Sequence, residues 1–229
     1  MVKNLSESAM INEILSTIAT NDVKDFKSRA IPFKSKDFSS GLHRFLWKCP
    51  HCLADDALHC ANSTVTCTRC NEMWRVDGLF NFSKQTAGLT DLYDWSTWHR
   101  EQVIEKITSA DDTTILAASP QVIYSEVAPD GTFIPLAFGS LELDKKQLRF
   151  VSTENPSSNI TLSTTDIVDF VYQRKDIFEC RDSSNRYRFR IVNGSPMKWV
   201  WFFRYMNNWQ QCEESGVITA LPIKRRPSS

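Results

Sequence analysis

Lys48-Cys49-Pro50-His51-Cys52, fourteen intervening residues, then Cys67-Thr68-Arg69-Cys70-Asn71: this stretch decides how the chain is read. Two residues between cysteines is the spacing at which a tight turn aims two thiolates at one metal ion. Two such turns supply the four soft ligands of a closed tetrahedral Zn²⁺ site. The gap between them accommodates a β-hairpin, with 57–61 and 64–66 as arms and Asn62-Ser63 at the tip. The expected unit is a zinc ribbon, with Cys49, Cys52, Cys67 and Cys70 as ligands.

Two disulfides, or four unrelated core thiols, are the competing reading. Disulfides need an oxidising compartment, and Met1 is followed by polar and charged sequence rather than a short apolar run with a cleavage site. Seven cysteines is an odd count. The remaining three, Cys60, Cys180 and Cys212, are expected as small buried hydrophobes with reduced thiols. His51 and His59 lie close to the ribbon, but four cysteines already fill a tetrahedral shell, and both histidines are expected to face solvent. Such a shell has no open position for water or substrate. The metal is therefore expected to stabilise the fold rather than to catalyse.

Moving outward, composition bounds the function classes. Of 229 residues, 41% are hydrophobic and 24% charged, a globular balance. Lys+Arg and Asp+Glu number 27 each, so no overall field draws in nucleic acid or an anionic membrane. No apolar run reaches the roughly 18 residues needed to span a bilayer. Only seven glycines occur, and neither of the Gly-rich phosphate-cradling motifs is present. The chain reads as cytoplasmic, with peripheral attachment to a membrane left open.

On the N-terminal side, residues 5–20 carry Met10, Ile11, Ile14, Leu15 and Ile18 at helical spacing, with a break at Asn21-Asp22. A second short helix is expected over 22–28, and 41–47 is expected as the entry strand of the ribbon. Beyond Cys70, residues 72–82 read as two short strands turning at Asp77-Gly78, followed by a polar turn over 83–88. Residues 91–109 form a helix with Asp91 or Asp94 as N-cap, its Trp95 and Trp98 expected in the core.

From Thr113 the pattern becomes β-rich. Runs at 113–118, 122–127, 133–143, 147–152, 160–162, 167–173, 177–181 and 187–192 are separated by turn residues, Lys175-Asp176 among them. One amphipathic helix follows, with Trp199, Phe202, Phe203, Met206 and Trp209 on its apolar face. About seven strands and a closing helix describe a pleckstrin-homology or GRAM-like antiparallel barrel. The expected class is α+β. Its parts are a helical lead-in at 1–48, a zinc ribbon at 49–83, a linking helix at 84–110, the β-module at 111–212, and a polar tail at 213–229.

Two sets of residues invite a chemical reading. Arg186, Arg188 and Arg190 alternate along one strand, so period two places their guanidiniums on one face. With Lys145, Lys146 and Arg149 they would form a basic rim able to grip a phosphate-type headgroup. The plainer reading is a solvated face neutralised by Asp176, Glu179 and Asp182. Second, His51 and Asp56 satisfy the H-x-x-x-x-D pattern of acyltransferases. That chemistry needs a free general base, and a metal knuckle is the wrong place for one. No catalytic set emerges.

The stretches GLHRFLWKCPHC, CTRCNEMWRVDGLFNF and LYDWSTWHREQV, followed by a β-rich module, resemble the C-terminal extension of lysophospholipid (1-acyl-glycerol-3-phosphate) acyltransferases from Gram-positive bacteria. The likeness runs from about Ile11 to Asn208. Its most specific pieces are the cysteine quartet and Asp94, Trp95, Trp98, Arg100 and Glu101. It implies a setting in phospholipid synthesis, either as a detached regulatory extension or as a companion acting in trans. It carries over the four metal cysteines and no acyltransfer residue. That family tends to place Gly after each C-x-x-C, where the chain turns through positive φ, whereas Leu53 and Asn71 stand here. Leu pays on the order of 1 kcal/mol in that conformation, and a distorted first knuckle is expected. The function expected is that of a non-catalytic accessory module docking on a protein partner or an anionic membrane surface. The alternatives are a nucleic-acid-binding ribbon and a subunit completing a separately encoded acyltransferase.

Overall fold

The computed structural model describes residues 6–18, 22–128, 130–173 and 176–206. Trp209, Cys212 and the tail expected at 213–229 lie outside the described residues, as do Asn21 and Lys175 of two expected breaks. Two helices open the chain, α1 (Glu7–Ile18) and α2 (Asp22–Arg29). Met10, Ile11 and Ile14 of α1 are exposed.

The stretch expected as an entry strand is instead a 3₁₀ turn at Leu42–Arg44, started by Gly41 at φ 83°. The reason is burial at helical spacing. Leu46 N donates to Leu42 O at 2.7 Å, and both leucines are buried on the same side.

The ribbon is a three-stranded sheet of order β1-β2-β3, made of β1 (Leu58–Ala61), β2 (Thr64–Cys67) and β3 (Met73–Arg75). Asn62 and Ser63 form its tip at φ 55° and 56°, the positive pair that a two-residue hairpin turn requires. The Asp37 carboxylate holds that tip from outside, accepting from Ser63 N at 2.7 Å and Asn62 N at 2.9 Å.

Residues 83–88, expected as a polar turn, continue a strand. β4 (Asn81–Thr86) pairs with β5 (Leu89–Asp91) around a turn at Ala87-Gly88. Two contacts keep β4 extended: Phe82 is buried, and Trp74 Nε1 donates to Thr86 Oγ1 at 3.0 Å. Helix α3 (Leu92–Ser109) then starts at Asp91, whose side chain accepts from Asp94 N. Asp94 reaches back to Thr90 N at 2.9 Å, so each end of the turn satisfies an otherwise orphaned donor. Lys27 of α2 pairs with Asp91.

The β-rich half is one curled antiparallel sheet of order β10-β11-β12-β6-β7-β8-β9. Its strands are β6 (Ala117–Val127), β7 (Phe133–Leu143), β8 (Gln147–Ser152), β9 (Ile160–Ser163), β10 (Asp169–Gln173), β11 (Ile177–Arg181) and β12 (Arg186–Ile191). Of the run expected at 113–118 only Ala117 and Ala118 are strand, and they merge with 122–127 into β6. A register shift between Ser119 and Val122 absorbs Pro120, which has no ladder donor to give. Helix α4 (Pro196–Met206) follows and packs Trp199, Phe202 and Phe203 into the sheet's interior. Seven antiparallel strands and a closing helix are the α+β, pleckstrin-homology-like layout expected from the sequence.

There are two cores, and α3 serves both. Trp95 is fully buried among Trp74 and Phe82 of the ribbon side, each ring centroid 5.0 Å away in edge-on contact. Further along the same helix, Val103, Ile104 and Ile107 enter the core of the curled sheet. Trp47 crosses the other way. It precedes the first cysteine by two residues yet packs with the β-module core. The helix expected as a link is thus a shared wall.

Candidate metal centre

Each knuckle is a local consequence of its sequence, and the two repeat one another. Leu53 N donates to Cys49 O and Asn71 N donates to Cys67 O, both at 2.9 Å. Cys49 N donates to Ala54 O at 3.0 Å and Cys67 N to Glu72 O at 2.8 Å. The residue after each C-x-x-C sits in the left-handed region, Leu53 at φ 61° and Asn71 at φ 60°. The distortion expected of the first knuckle is therefore absent. Leu53 adopts the backbone that Gly would have supplied, with its side chain 56% exposed and unconstrained by packing.

The four thiols converge. All Sγ atoms lie within 4.8 Å of one another, with Cys49 to Cys70 at 3.8 Å and Cys52 to Cys67 at 3.7 Å. A tetrahedral ion bound to sulfur at about 2.3 Å separates its ligands by about 3.8 Å, so the donors fit a soft four-coordinate ion. Cys49 and Cys67 are fully buried. Cys60, on β1, is buried outside the quartet, and burial pushes its thiol up to about 12. Cys180 of β11 is buried in the β-module core and its thiol is likewise raised by burial. Both match the expectation of inert apolar packing.

The His51 and Asp56 pair is taken apart by the fold. His51 is exposed, with Nε2 3.9 Å from Glu72. The Asp56 carboxylate is turned to the other module, where it accepts from Lys198 Nζ and from Ser195 N at 3.1 Å. It cannot orient His51, and the acyltransferase-like spacing is a coincidence of sequence. Burial pushes the Asp56 carboxyl up, opposed by the Lys198 ammonium. Lys198, only 1% exposed, donates a second hydrogen bond to Ala118 O of β6 at 2.8 Å. Ser195 Oγ donates to Arg44 O, adding another tie between the ribbon side and the start of α4.

Sequence reasoning missed this junction. Its one local signal is Lys198 on the otherwise apolar Trp199 side of α4, a cation that burial obliges to find a partner. His99 was missed as well. It lies on α3 one turn beyond Trp95 and is stacked on Trp47 with ring centroids 4.0 Å apart. Its Nε2 is 3.2 Å from Lys48 N and from Trp95 Nε1. The Lys48 carbonyl oxygen is also 3.2 Å from Nε2, and burial depresses the imidazole to about 3.

The six cations expected to form a basic rim do not converge. Arg188 Nε donates to Glu179 at 2.6 Å, its other nitrogen reaches Gln173 at 3.1 Å, and its guanidinium lies 3.2 Å from the Phe133 ring centroid. Arg190 pairs with Asp176 at 2.8 Å. Lys145 Nζ donates to Ala110 O at the C-terminus of α3, where a cation meets unpaired carbonyls. Lys146 pairs with Asp112 at 2.8 Å. The 144–146 turn lies at the opposite end of the sheet from Arg186, which is exposed beside the β11–β12 turn. Arg149 is paired with Asp144 on its own hairpin.

No family model matches the chain, and no curated protein matches it. Among solved structures, the chain is similar to the N-terminal PH domain of human ARAP2 at 14% identity and TM-score 0.35, covering 53% of this chain and 98% of that one. A Dm DCP1 EVH1 domain in complex with the XRN1 DBM peptide matches at 12% identity and TM-score 0.34, over 56% of this chain and 97% of that one. The C-terminal domain of an unknown protein from Leishmania infantum matches at 12% identity and TM-score 0.30, over 48% and 94%. The fold assignment rests on the strand order itself. Among the described residues, no helix is long and apolar enough to cross a membrane.

Proposed function

We propose that the chain is a non-catalytic accessory module in which a structural Zn²⁺ fixes a ribbon against a pleckstrin-homology-like sheet, for docking on a protein partner or a membrane surface. The observation that carries this reading is the thiol quartet. Among the described residues it is a closed four-sulfur donor set, placed where it braces a hairpin. Cysteine thiolate is soft enough to favour Zn²⁺ over the hard cations. Cys49, Cys52, Cys67 and Cys70 would hold the ion, and its contribution is folding energy. The setting, from the resemblance of the cysteine quartet and the 94–101 helix start, is phosphatidate synthesis.

Three arms of one experiment test this on the full chain. Elemental analysis should give about one equivalent of zinc, retained by Cys60→Ala and lost by Cys67→Ser. Loss of zinc in Cys60→Ala alone would mean a different ligand set. The zinc-loaded chain should show no acyl-CoA-dependent acylation of lysophosphatidate, and turnover by this chain alone would overturn the reading. The chain should co-sediment with vesicles containing phosphatidate or co-purify with a separately encoded acyltransferase, and failure of both would remove the proposed setting.

A further inference from the structure

A cleft of about 440 Å³ separates the ribbon from the β-module, with His43, Arg44, His59 and Thr68 on one side and Asp176, Arg190 and Asn193 on the other. Both carboxylates on its walls are committed. Asp56 is held by Lys198 and Ser195 N, and Asp176 by Arg190. Among the described residues no carboxylate pairs with Arg44. His43 Nδ1 is buried without a hydrogen-bond partner. The cleft thus gathers Arg44, His43 and His59 from the ribbon side, facing an Arg190 whose Nε is held by Asp176.

We propose that this cleft binds a phosphate-bearing anion, gripped by Arg44 and His59 from the ribbon side and by Arg190 from the sheet. The chemistry favours phosphate for two reasons. A guanidinium presents planar paired donors that match its oxygens. Beside it, His43 holds a buried ring nitrogen with no hydrogen-bond partner among the described residues, which a phosphate oxygen or hydroxyl can supply. In its absence, burial first and then repulsion by the Arg44 charge lower the basicity of His43. A bound dianion would relieve that repulsion. Arg190 belonged to the rim expected from the sequence, but its companions here come from the ribbon side, which strand periodicity does not register.

The cleft is also braced. Ser195 Oγ bonds Arg44 O at its back, and Gly194 leaves so little room that a Cβ there would lie 3.0 Å from the Asp56 carboxyl carbon. The proposal does not depend on the phospholipid setting, since free phosphate esters and lipid headgroups share this chemistry.

The test uses the zinc-loaded full chain, with glycerol phosphate as free probe and vesicles of phosphatidate in phosphatidylcholine as membrane probe. Glycerol phosphate should shift the ring resonances of His43 and His59 saturably. Arg44→Gln should weaken that binding about tenfold, the loss of one charge-assisted contact, while Arg186→Gln leaves it unchanged. His59→Gln, at an exposed position, serves as the second variant should Arg44→Gln lose its metal. Binding to free ester alone marks a soluble ligand; Arg44-dependent sedimentation with vesicles as well marks a headgroup. Either result supports the cleft. Absence of saturable shifts with both probes, or binding that survives Arg44→Gln and His59→Gln, would overturn it.

Discussion

Asp56, three residues past the first knuckle's Leu53, and Lys198, on the last helix, form a buried ion pair between side chains 142 positions apart. Burial disfavours the Asp56 charge, and the Lys198 ammonium opposes that effect. The pair makes the first C-x-x-C turn and the closing helix of the β-module parts of one structure.

Removing one partner should therefore cost far more than removing both. Lys198→Met strands the Asp56 carboxylate and is expected to destabilise the chain by about 3 kcal/mol. Adding Asp56→Asn should recover a substantial part, because an uncompensated buried charge is the main penalty. Urea denaturation of the two single variants and the double variant measures the coupling. Additive losses would show that the pair contributes nothing across the junction.

The second prediction concerns acid. His99 is held neutral in the fold near 3, against 6.5 unfolded, so the unfolded chain takes up the proton first as pH falls. Stability should be level above the unfolded value and should fall as pH drops from there toward the folded one. The slope is about 1.4 kcal/mol per pH unit for one proton. His99→Phe retains an aromatic ring against Trp47 and should lose this slope. Asp37, lowered to about 2 by the backbone of the ribbon tip, acts in a different window. Its contribution is present above the ordinary carboxylate value and disappears as pH falls through the folded one. Chemical denaturation across mildly acidic pH separates the two. An unchanged slope in His99→Phe would assign the acid sensitivity to the carboxylates.

Leu53→Gly should stabilise the chain. The residue holds φ at 61° with its side chain largely in solvent, so glycine removes strain without removing packing. The expected gain is about 1 kcal/mol, read as a higher denaturation midpoint in the metal-loaded chain. At Asn71, in the same conformation, alanine should lose stability. A neutral or destabilising Leu53→Gly would mean that the leucine side chain makes contacts that offset its backbone.

The fold was legible where the determinants are local. C-x-x-C spacing fixes a turn, Asn62-Ser63 fixes a hairpin tip, and the runs at 133–143 and 147–152 between turn residues fix strands at the bounds observed. It was illegible where side chains answer to distant partners. The 41–47 stretch alternates well enough for a strand, but Leu42 and Leu46 share a neighbour and curl it into a turn. Residues 83–86 look like polar loop until Trp74 supplies a reason to stay extended.

The site divides in the same way. Spacing alone picked out the four cysteines whose thiols converge, because the geometry of a knuckle is set within five consecutive residues. Spacing also put His51 and Asp56 in one motif, and only tertiary structure turned Asp56 away to Lys198. Ion pairs, the shared helix and the cleft between ribbon and sheet depend on how two independently patterned halves are placed against each other. No local periodicity encodes that placement; it follows from which buried charges and rings must find partners once both halves have formed.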